Sequence, residues 1–163
     1  MIPVTTMGAL SRGRKVLGHL ATDRGLLISA LCLVSAIRLG LLVLPVRVVG
    51  GVLAWLVPRK PEVTRDPSIA DRVTRVVLLA SRVVPGATCL TQALAAHVLL
   101  ERHGLPTRLH IGVVRESAQA TRGHAWVESQ GMIVIGGAMS GEWSPLFTVE
   151  GARRWFPRPG WPS

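Results

Sequence analysis

The stretch Ala87-Thr88-Cys89-Leu90-Thr91-Gln92-Ala93-Leu94 places a cysteine at the start of a predicted helix. Thr88 suits the N-cap position, and the helix is expected to run from Cys89 to about His103. At a helix N-terminus the unpaired backbone N–H groups and the helix dipole favour negative charge, which stabilises a thiolate. The position therefore predicts that Cys89 is a nucleophile, although a free cysteine is more commonly a small buried core residue.

A second stretch, Gly123-His124-Ala125-Trp126-Val127-Glu128, predicts a strand and contains a histidine 35 residues after the cysteine. His124 can supply the base that a cysteine nucleophile needs, and Trp126 can form a wall of the site. The other histidines fit this role less well, because they lie in the basic N-terminal segment, further along the cysteine's helix, or at a strand position expected to be exposed: His19, His97, His103 and His110. The pair Cys89 and His124 indicates a cysteine hydrolase.

Composition fits one folded domain with an appendage, since 48% of the 163 residues are hydrophobic and 17% are charged. The net charge of +10 is uneven: residues 1–60 contain eight basic residues and one acidic residue. A cationic N-terminal segment suits a membrane surface or an acidic partner. Nucleic acid is disfavoured as a partner, because the basic residues are scattered and no nucleic-acid motif is present.

Cysteine usage points to a reducing, cytoplasmic setting. Two cysteines are too few for a disulfide framework, and the sequence contains no cluster with metal-ligand spacing. Neither a metal nor another cofactor is therefore predicted. The N-terminus lacks the pattern of a secretory signal, since its first apolar run begins only at Gly25.

Residues 1–60 are predicted to form an apolar helical segment, after a loose lead-in or a short helix over residues 1–24. The apolar run from Gly25 to Val57 is interrupted by Arg38 and Arg47. Buried helices that pack on the following domain are one interpretation. A helix on or in a membrane is the other, because Trp55 and the arginines suit an interface. A charged, proline-bearing linker then sets the predicted domain boundary between residues 60 and 61.

Residues 61–163 predict an α+β domain with the cysteine helix packed on a small antiparallel sheet. Ser68 and Asp71 resemble a capping box that opens a helix ending near Val84. Three strands are expected after the cysteine helix, over residues 108–114, 124–128 and 132–135, and the last two are joined by a turn at Ser129-Gln130-Gly131. The tail from Gly136 onward, rich in glycine, proline and tryptophan, is expected to be irregular.

The combination of these motifs resembles the transglutaminase-like cysteine proteases of lasso-peptide maturation, over roughly residues 62–150. The resemblance rests on the cysteine motif, the turn before the first strand, that strand itself and the histidine motif: Cys89-Leu90-Thr91-Gln92-Ala93-Leu94, Gly104-Leu105-Pro106, Leu109-His110-Ile111-Gly112-Val113 and Gly123-His124-Ala125-Trp126-Val127-Glu128. It implies a papain-like arrangement that removes the leader from a ribosomally synthesised precursor peptide. The implied partners are that precursor, a separate leader-recognition protein and a separate ATP-dependent cyclase that closes the macrolactam.

The third catalytic residue departs from this family. Antiparallel pairing from the Gln130-Gly131 turn is expected to set His124 opposite Gly137. The aspartate that the resemblance implies is therefore expected near Gly136 or Gly137, and neither position is acidic. Glu128 lies on the same strand as His124, about 13 Å away at the rise of a strand, and cannot reach the imidazole. Glu142 is predicted as the orienting group, with a backbone carbonyl or a side-chain amide as the alternative.

Gln92 and Trp126 are predicted to contact the substrate. Gln92, together with the backbone N–H of Cys89, would hold the oxyanion.

Two other functions stay open on the sequence alone. An acyl transferase or amidase of the same fold would resolve the thioester differently. A catalytically vestigial, membrane-associated scaffold would suit the missing aspartate and the apolar N-terminus.

Overall fold

Four helices and one antiparallel sheet make up the described part of the chain, which in this computed structural model covers residues 7–58, 66–115, 121–137 and 143–151. The sheet has the strand order β3-β2-β1-β4. This arrangement confirms the predicted α+β class. The elements are α1 Met7–Val43, α2 Val46–Trp55, α3 Pro67–Val83, α4 Cys89–Arg102, β1 Thr107–Arg115, β2 Thr121–Ser129, β3 Met132–Ile135 and β4 Trp143–Glu150.

Helix α1 is longer than expected, because it begins at Met7 and runs unbroken to Val43. The prediction of a loose lead-in or a short helix is therefore wrong from residue 7 onward. Extending an existing helix costs less free energy than nucleating one, so a packed C-terminal half can carry the helix backward through glycines. Within α1, Arg24–Val43 is long and apolar enough to cross a membrane, and 28% of the residues in its most apolar stretch are buried. The core helix of a soluble protein and a signal sequence can have the same length and composition.

Helix α3 starts at a different cap from the one predicted. The Asp66 side chain accepts a hydrogen bond from the Ser68 backbone N–H at 2.9 Å, and Pro67 occupies the first turn. Ser68 is therefore not the N-cap, and the predicted capping box is wrong. Proline suits the first helical position because its missing N–H has no partner there in any case. The hydrogen bonds from Ser68 also hold the pKa of Asp66 below its usual value.

The hairpin between β2 and β3 confirms the predicted turn. Gln130 and Gly131 both have positive φ, at 53° and 78°. This is the pair of conformations that a two-residue type I′ turn requires, and its twist matches that of the flanking strands.

Strand β4 shows that the prediction of an irregular tail is wrong for residues 143–150, which pair antiparallel with β1. Proline is compatible with this strand because β4 lies at the edge of the sheet. A register shift between Ile111 and Gly112 sets these residues opposite Phe147 and Pro145 and leaves Leu146 as the extra residue of a bulge.

The hydrophobic core lies between the helices and one face of the sheet. Its sheet side consists of Leu109, Ala125, Val127, Ile135 and Val149, and its helical side includes buried residues of all four helices. Residues before and after the predicted boundary at residue 60 thus share one core. The division into segments 1–60 and 61–163 stays a prediction.

A buried polar chain joins the end of α4 to the start of β1. His97, 1% exposed, places Nδ1 2.7 Å from the Thr107 hydroxyl. That hydroxyl donates to the Glu101 carboxylate at 3.0 Å, and the same carboxylate accepts the Thr107 backbone N–H at 2.8 Å. Because the hydroxyl proton is directed at Glu101, His97 donates its Nδ1 proton to Thr107. Desolvation by burial lowers the pKa of His97 to about 3.

This burial predicts that the protein loses stability in mild acid. In the unfolded state His97 binds a proton near the ordinary histidine pKa of 6.5, whereas in the folded state it binds one near 3. The stability that uncharged His97 contributes is therefore fully present above pH 6.5. As the pH falls below 6, the free energy of unfolding decreases by about 1.4 kcal/mol per pH unit. Urea unfolding of the wild type and of H97N at several pH values between 6.5 and 4.5 measures this slope. Asparagine keeps a polar partner for Thr107 and does not titrate, so equal slopes in the two proteins would contradict the assignment.

Candidate active site

Cys89 is the first residue of α4, as predicted, and Thr88 is its N-cap. The Thr88 hydroxyl accepts the Thr91 backbone N–H at 3.3 Å, and the Thr88 backbone N–H donates to the Thr91 hydroxyl at 3.4 Å. This capping box fixes the first turn of the helix. The Cys89 thiol is free and only partly buried, so it combines access to solvent with the position at which a helix favours an anion.

An arginine of α1 contacts the turn that leads into this helix. Gly86, three residues before Cys89, has a φ of +70°, and a Cβ built on it would lie 2.7 Å from Nη2 of Arg38. The guanidinium therefore occupies the space that a side chain at residue 86 would fill. The sequence shows Arg38 as an interruption of the apolar run and gives no sign that Gly86 is its contact. A lone charge in an apolar helix was the signal that it has a specific neighbour.

His124 lies on β2, where its ring makes a hydrogen bond to the backbone. Its Nε2 atom is 2.8 Å from the carbonyl oxygen of Gly136. A carbonyl can only accept, so Nε2 carries a proton and donates it, and Nδ1 holds the lone pair. This is the backbone-carbonyl alternative raised from the sequence. Glu142, the other predicted orienting group, lies outside the described residues, and its role stays a prediction.

The backbone at Gly136 leaves no room for a side chain. Its φ is +83°, and a Cβ there would lie 2.7 Å from the Ala125 carbonyl oxygen and 2.8 Å from Cβ of Trp126. An aspartate could not occupy this position unless the backbone moved, which explains in steric terms why the acid expected here is absent. The predicted register, which sets His124 opposite Gly137, holds at Ser129 and Glu128 and fails at Val127. A bulge between Val127 and Glu128 shifts the β2–β3 pairing by one residue there, so that Val127 lies opposite Ile135.

Trp126 is 6% exposed and lies between two histidine rings on the same face of the sheet. Its ring centroid is 5.1 Å from that of His110 and 6.2 Å from that of His124, and both interplanar angles are 16°. The indole thus holds the His124 ring from one side. With so little exposed surface, Trp126 supports the imidazole, and its predicted contact with substrate stays a prediction.

The prediction that His110 is exposed is wrong. Its side chain is 14% exposed, its Nδ1 is 2.9 Å from the Thr148 hydroxyl, and its Nε2 is 3.4 Å from the Glu128 carboxylate. The physical reason is β4, which pairs with β1 and sets Thr148 beside His110. The sequence did not predict β4, so β1 was expected to have a free edge and His110 to be exposed there.

The direction of α4 relates the cysteine to the histidine. The C-terminal half of α4 is held by Glu101 at Thr107, and Thr107 pairs with Ser129 at the end of β2. Helix α4 also packs along β2. We infer that Cys89, at the other end of the helix, lies toward the half of β2 that contains His124.

The helix that presents Cys89 and the side chain of His124 lie on opposite sides of β2. Ala125 and Val127 point to the buried face that the helices cover, whereas His124 and Trp126 alternate with them and belong to the other face. The imidazole would therefore have to reach the thiol around the end of the strand. The pairing of Cys89 with His124 stays a prediction.

Gln92 lies one turn after Cys89 on α4 and is partly buried, with its backbone N–H bonded to the Thr88 carbonyl at 3.0 Å. Its predicted role at the oxyanion also stays a prediction. Among the residues that the structure describes, no group of three histidine, cysteine, aspartate or glutamate side chains could hold a metal ion.

A cleft of about 490 Å³ opens at the opposite end of α4, beside Glu101, Thr107 and Glu150. Its charged groups are already engaged with one another, since Arg108 lies 3.3 Å from Glu150 and 3.7 Å from Glu128. The cleft lies at the end of α4 away from Cys89 and is not part of the candidate site.

Comparison with known proteins identifies the family. Residues 31–148 match the family model described as the transglutaminase-like superfamily, a range that runs from within α1 into β4. The chain therefore belongs to the transglutaminase-like superfamily, in which cysteine protease and acyl transferase activities are common. No curated protein and no solved structure matches the chain.

Proposed function

We propose that the protein is a cysteine peptidase that removes the leader from a ribosomally synthesised lasso precursor peptide, before a separate ATP-dependent cyclase closes the macrolactam. The superfamily supports a cysteine-based acyl-transfer reaction. The finer assignment rests on the cysteine and histidine motifs and on their resemblance to the leader peptidases.

The hydrogen bond from His124 to the Gly136 carbonyl is the observation that carries the proposal. A base acts only if its unprotonated nitrogen is directed at the proton it must take, and this bond fixes the tautomer with the lone pair on Nδ1. A carbonyl dipole here does part of what a carboxylate does in a complete triad. It orients the ring, but it stabilises the imidazolium less than a full negative charge would.

The proposed reaction proceeds by acyl transfer through Cys89. The thiolate attacks the carbonyl carbon at the junction of leader and core, and the backbone N–H of Cys89, with Gln92, holds the oxyanion. His124 takes the thiol proton and passes it to the departing amine as the C–N bond breaks. Water, deprotonated by His124, then attacks the thioester carbonyl. As the C–S bond breaks, the leader is released with a free carboxylate, and the imidazolium returns its proton to the Cys89 thiolate.

Affinity for the precursor need not reside in this chain. A separate leader-recognition protein that binds both the leader and this protein would raise the effective concentration of the scissile bond at Cys89. Such a partner would therefore increase the rate of cleavage of the precursor without any added contact between the leader and this chain.

Mass spectrometry of a reconstituted reaction tests the function. The chain, a candidate precursor and its leader-recognition protein are incubated together, and the peptide masses are followed with time. We expect two products, the free leader and the core, whose summed mass exceeds that of the precursor by one water. Cleavage should be faster when the recognition protein is present. Transfer of the acyl group to an added amine in place of water would contradict hydrolysis and favour the acyl transferase. Tight binding without turnover would favour the vestigial scaffold.

A further inference from the structure

From Gly25 to Val43, helix α1 is largely apolar on the face that it buries and also on the face that it exposes. Its inner face includes Leu26, Ala30, Val34 and Ile37, which are all buried in the core. Its outer face, defined here as Ile28, Leu39, Leu42 and Val43, is exposed by 62%, 65%, 61% and 80%. A surface helix in water normally carries polar residues opposite its buried stripe, so a helix that is apolar all round indicates a second apolar environment.

Helix α2 continues this character. Val52 is 59% exposed and Trp55 is 82% exposed, although Val49 and Leu53 on the same helix are buried. Tryptophan is enriched at the boundary between lipid and water, where its ring contacts acyl chains and its N–H stays hydrated.

A membrane-spanning arrangement conflicts with the packing of α1. Its inner face packs on α3 and α4, so inserting α1 across a bilayer would draw α3 into the hydrocarbon as well. Helix α3 contains Asp71, Arg72, Arg75 and Arg82, and charged groups at that depth are strongly disfavoured. The described fold is therefore compatible with a helix that lies in the plane of the membrane surface.

The charges near the outer face favour an anionic surface. Arg24 and Arg47 are exposed at the two ends of the apolar region, and residues 1–60 contain eight basic residues against one acidic residue. Arg38 does not interrupt the outer face, because its guanidinium contacts Gly86. A bilayer with anionic headgroups complements both the aliphatic side chains and the surrounding positive charge.

We propose that the outer face of α1, together with the exposed residues of α2, binds the surface of an anionic phospholipid bilayer, with α1 parallel to that surface. The opposite side of the helix remains packed on the domain. The site around Cys89 would then be held close to the membrane, at the turn that Arg38 of the same helix contacts.

Vesicle flotation with the full-length chain tests this proposal. The protein is mixed with phosphatidylcholine vesicles that contain or lack phosphatidylglycerol, at low and at high salt. We expect flotation with the anionic vesicles, weakened by salt. The double variant L39Q/L42Q should bind roughly tenfold more weakly. The matched control is M132Q/L146Q, which alters two equally exposed apolar residues of β3 and β4 (62% and 72%) and should float as the wild type does.

Three results would overturn the proposal. Equal flotation of both double variants would show that the outer face is not the contact. Retention in the membrane after alkaline carbonate extraction would show a spanning helix. A dimer in lipid-free solution that L39Q/L42Q dissociates, without vesicle binding by the wild type, would show that a second copy covers this face. None of these results depends on peptidase activity, so the inference and the proposed function fail separately.

Discussion

Replacing Cys89 with serine is expected to abolish cleavage of the precursor, with kcat reduced at least about 10⁴-fold. Serine fits the same space and keeps the first turn of α4, but its hydroxyl does not ionise near neutral pH and gains little from the helix N-terminus. The rate of leader release, measured by mass spectrometry with saturating recognition protein, reports the change.

Cys32 provides the matched control, because it is the other cysteine of the chain and is exposed on α1. C32S should cleave the precursor at the wild-type rate, and both variants should unfold at the same urea concentration as the wild type. Substantial cleavage by C89S, or an equal loss in C32S, would show that the nucleophile lies elsewhere.

Substituting Gly136 by alanine is expected to lower kcat about 10²-fold with little change in KM. The new Cβ would meet backbone and Cβ atoms of β2 at 2.7 Å and 2.8 Å. These atoms cannot yield as a flexible side chain can, so the carbonyl that accepts from His124 must move. The loss should appear in kcat because the variant misplaces the base and leaves the peptide contacts intact.

The neighbouring glycine separates this effect from a general effect on the loop. Among the residues that the structure describes, a Cβ on Gly137 would contact the Ile133 side chain alone, at 3.2 Å for the nearest atom. G137A should therefore keep most of the activity. If G136A and G137A lose activity equally, or if G136A remains fully active, the Gly136 carbonyl does not position His124.

Local chemistry explains what the sequence could predict. Thr88 and Thr91 form a cap within one turn of α4, and Gln130 with Gly131 forms the β2–β3 turn without help from distant residues. Such signals involve groups a few residues apart, so a pattern in the chain is enough to identify them. For this reason the sequence was enough to predict the helix that begins at Cys89. It was also enough to predict the hairpin formed by β2, which contains His124, and β3.

Distant contacts explain what the sequence could not predict. Strand β4 contains a proline and a bulge, and it forms only because β1 offers an unpaired edge. The burial of His110 depends on that strand and on Trp126, which lies opposite His110 on the neighbouring strand β2. The contact between Arg38 and Gly86 joins residues almost 50 positions apart. None of these has a periodic signature in the sequence.

The orienting group of His124 stands between these cases. Hairpin geometry placed the expected acid near Gly136, and the structure places the bonding oxygen at that residue. A backbone carbonyl takes the position expected for the aspartate side chain, because the backbone conformation and close contacts at Gly136 exclude a Cβ. A sequence shows which side chains are present but not which backbone carbonyl accepts a hydrogen bond. The glycine at position 136 is therefore the one sign of this arrangement in the sequence.

The sharpest test of an activated thiol is the rate at which iodoacetamide alkylates Cys89, compared with Cys32 in the same protein over a range of pH. We expect Cys89 to react several-fold faster than Cys32 near neutral pH. H124A should remove this advantage, whereas H103A, which alters an exposed histidine on the other end of the helix, should retain it. Equal rates for the two cysteines, or an advantage that survives in H124A, would contradict an activated thiol paired with His124.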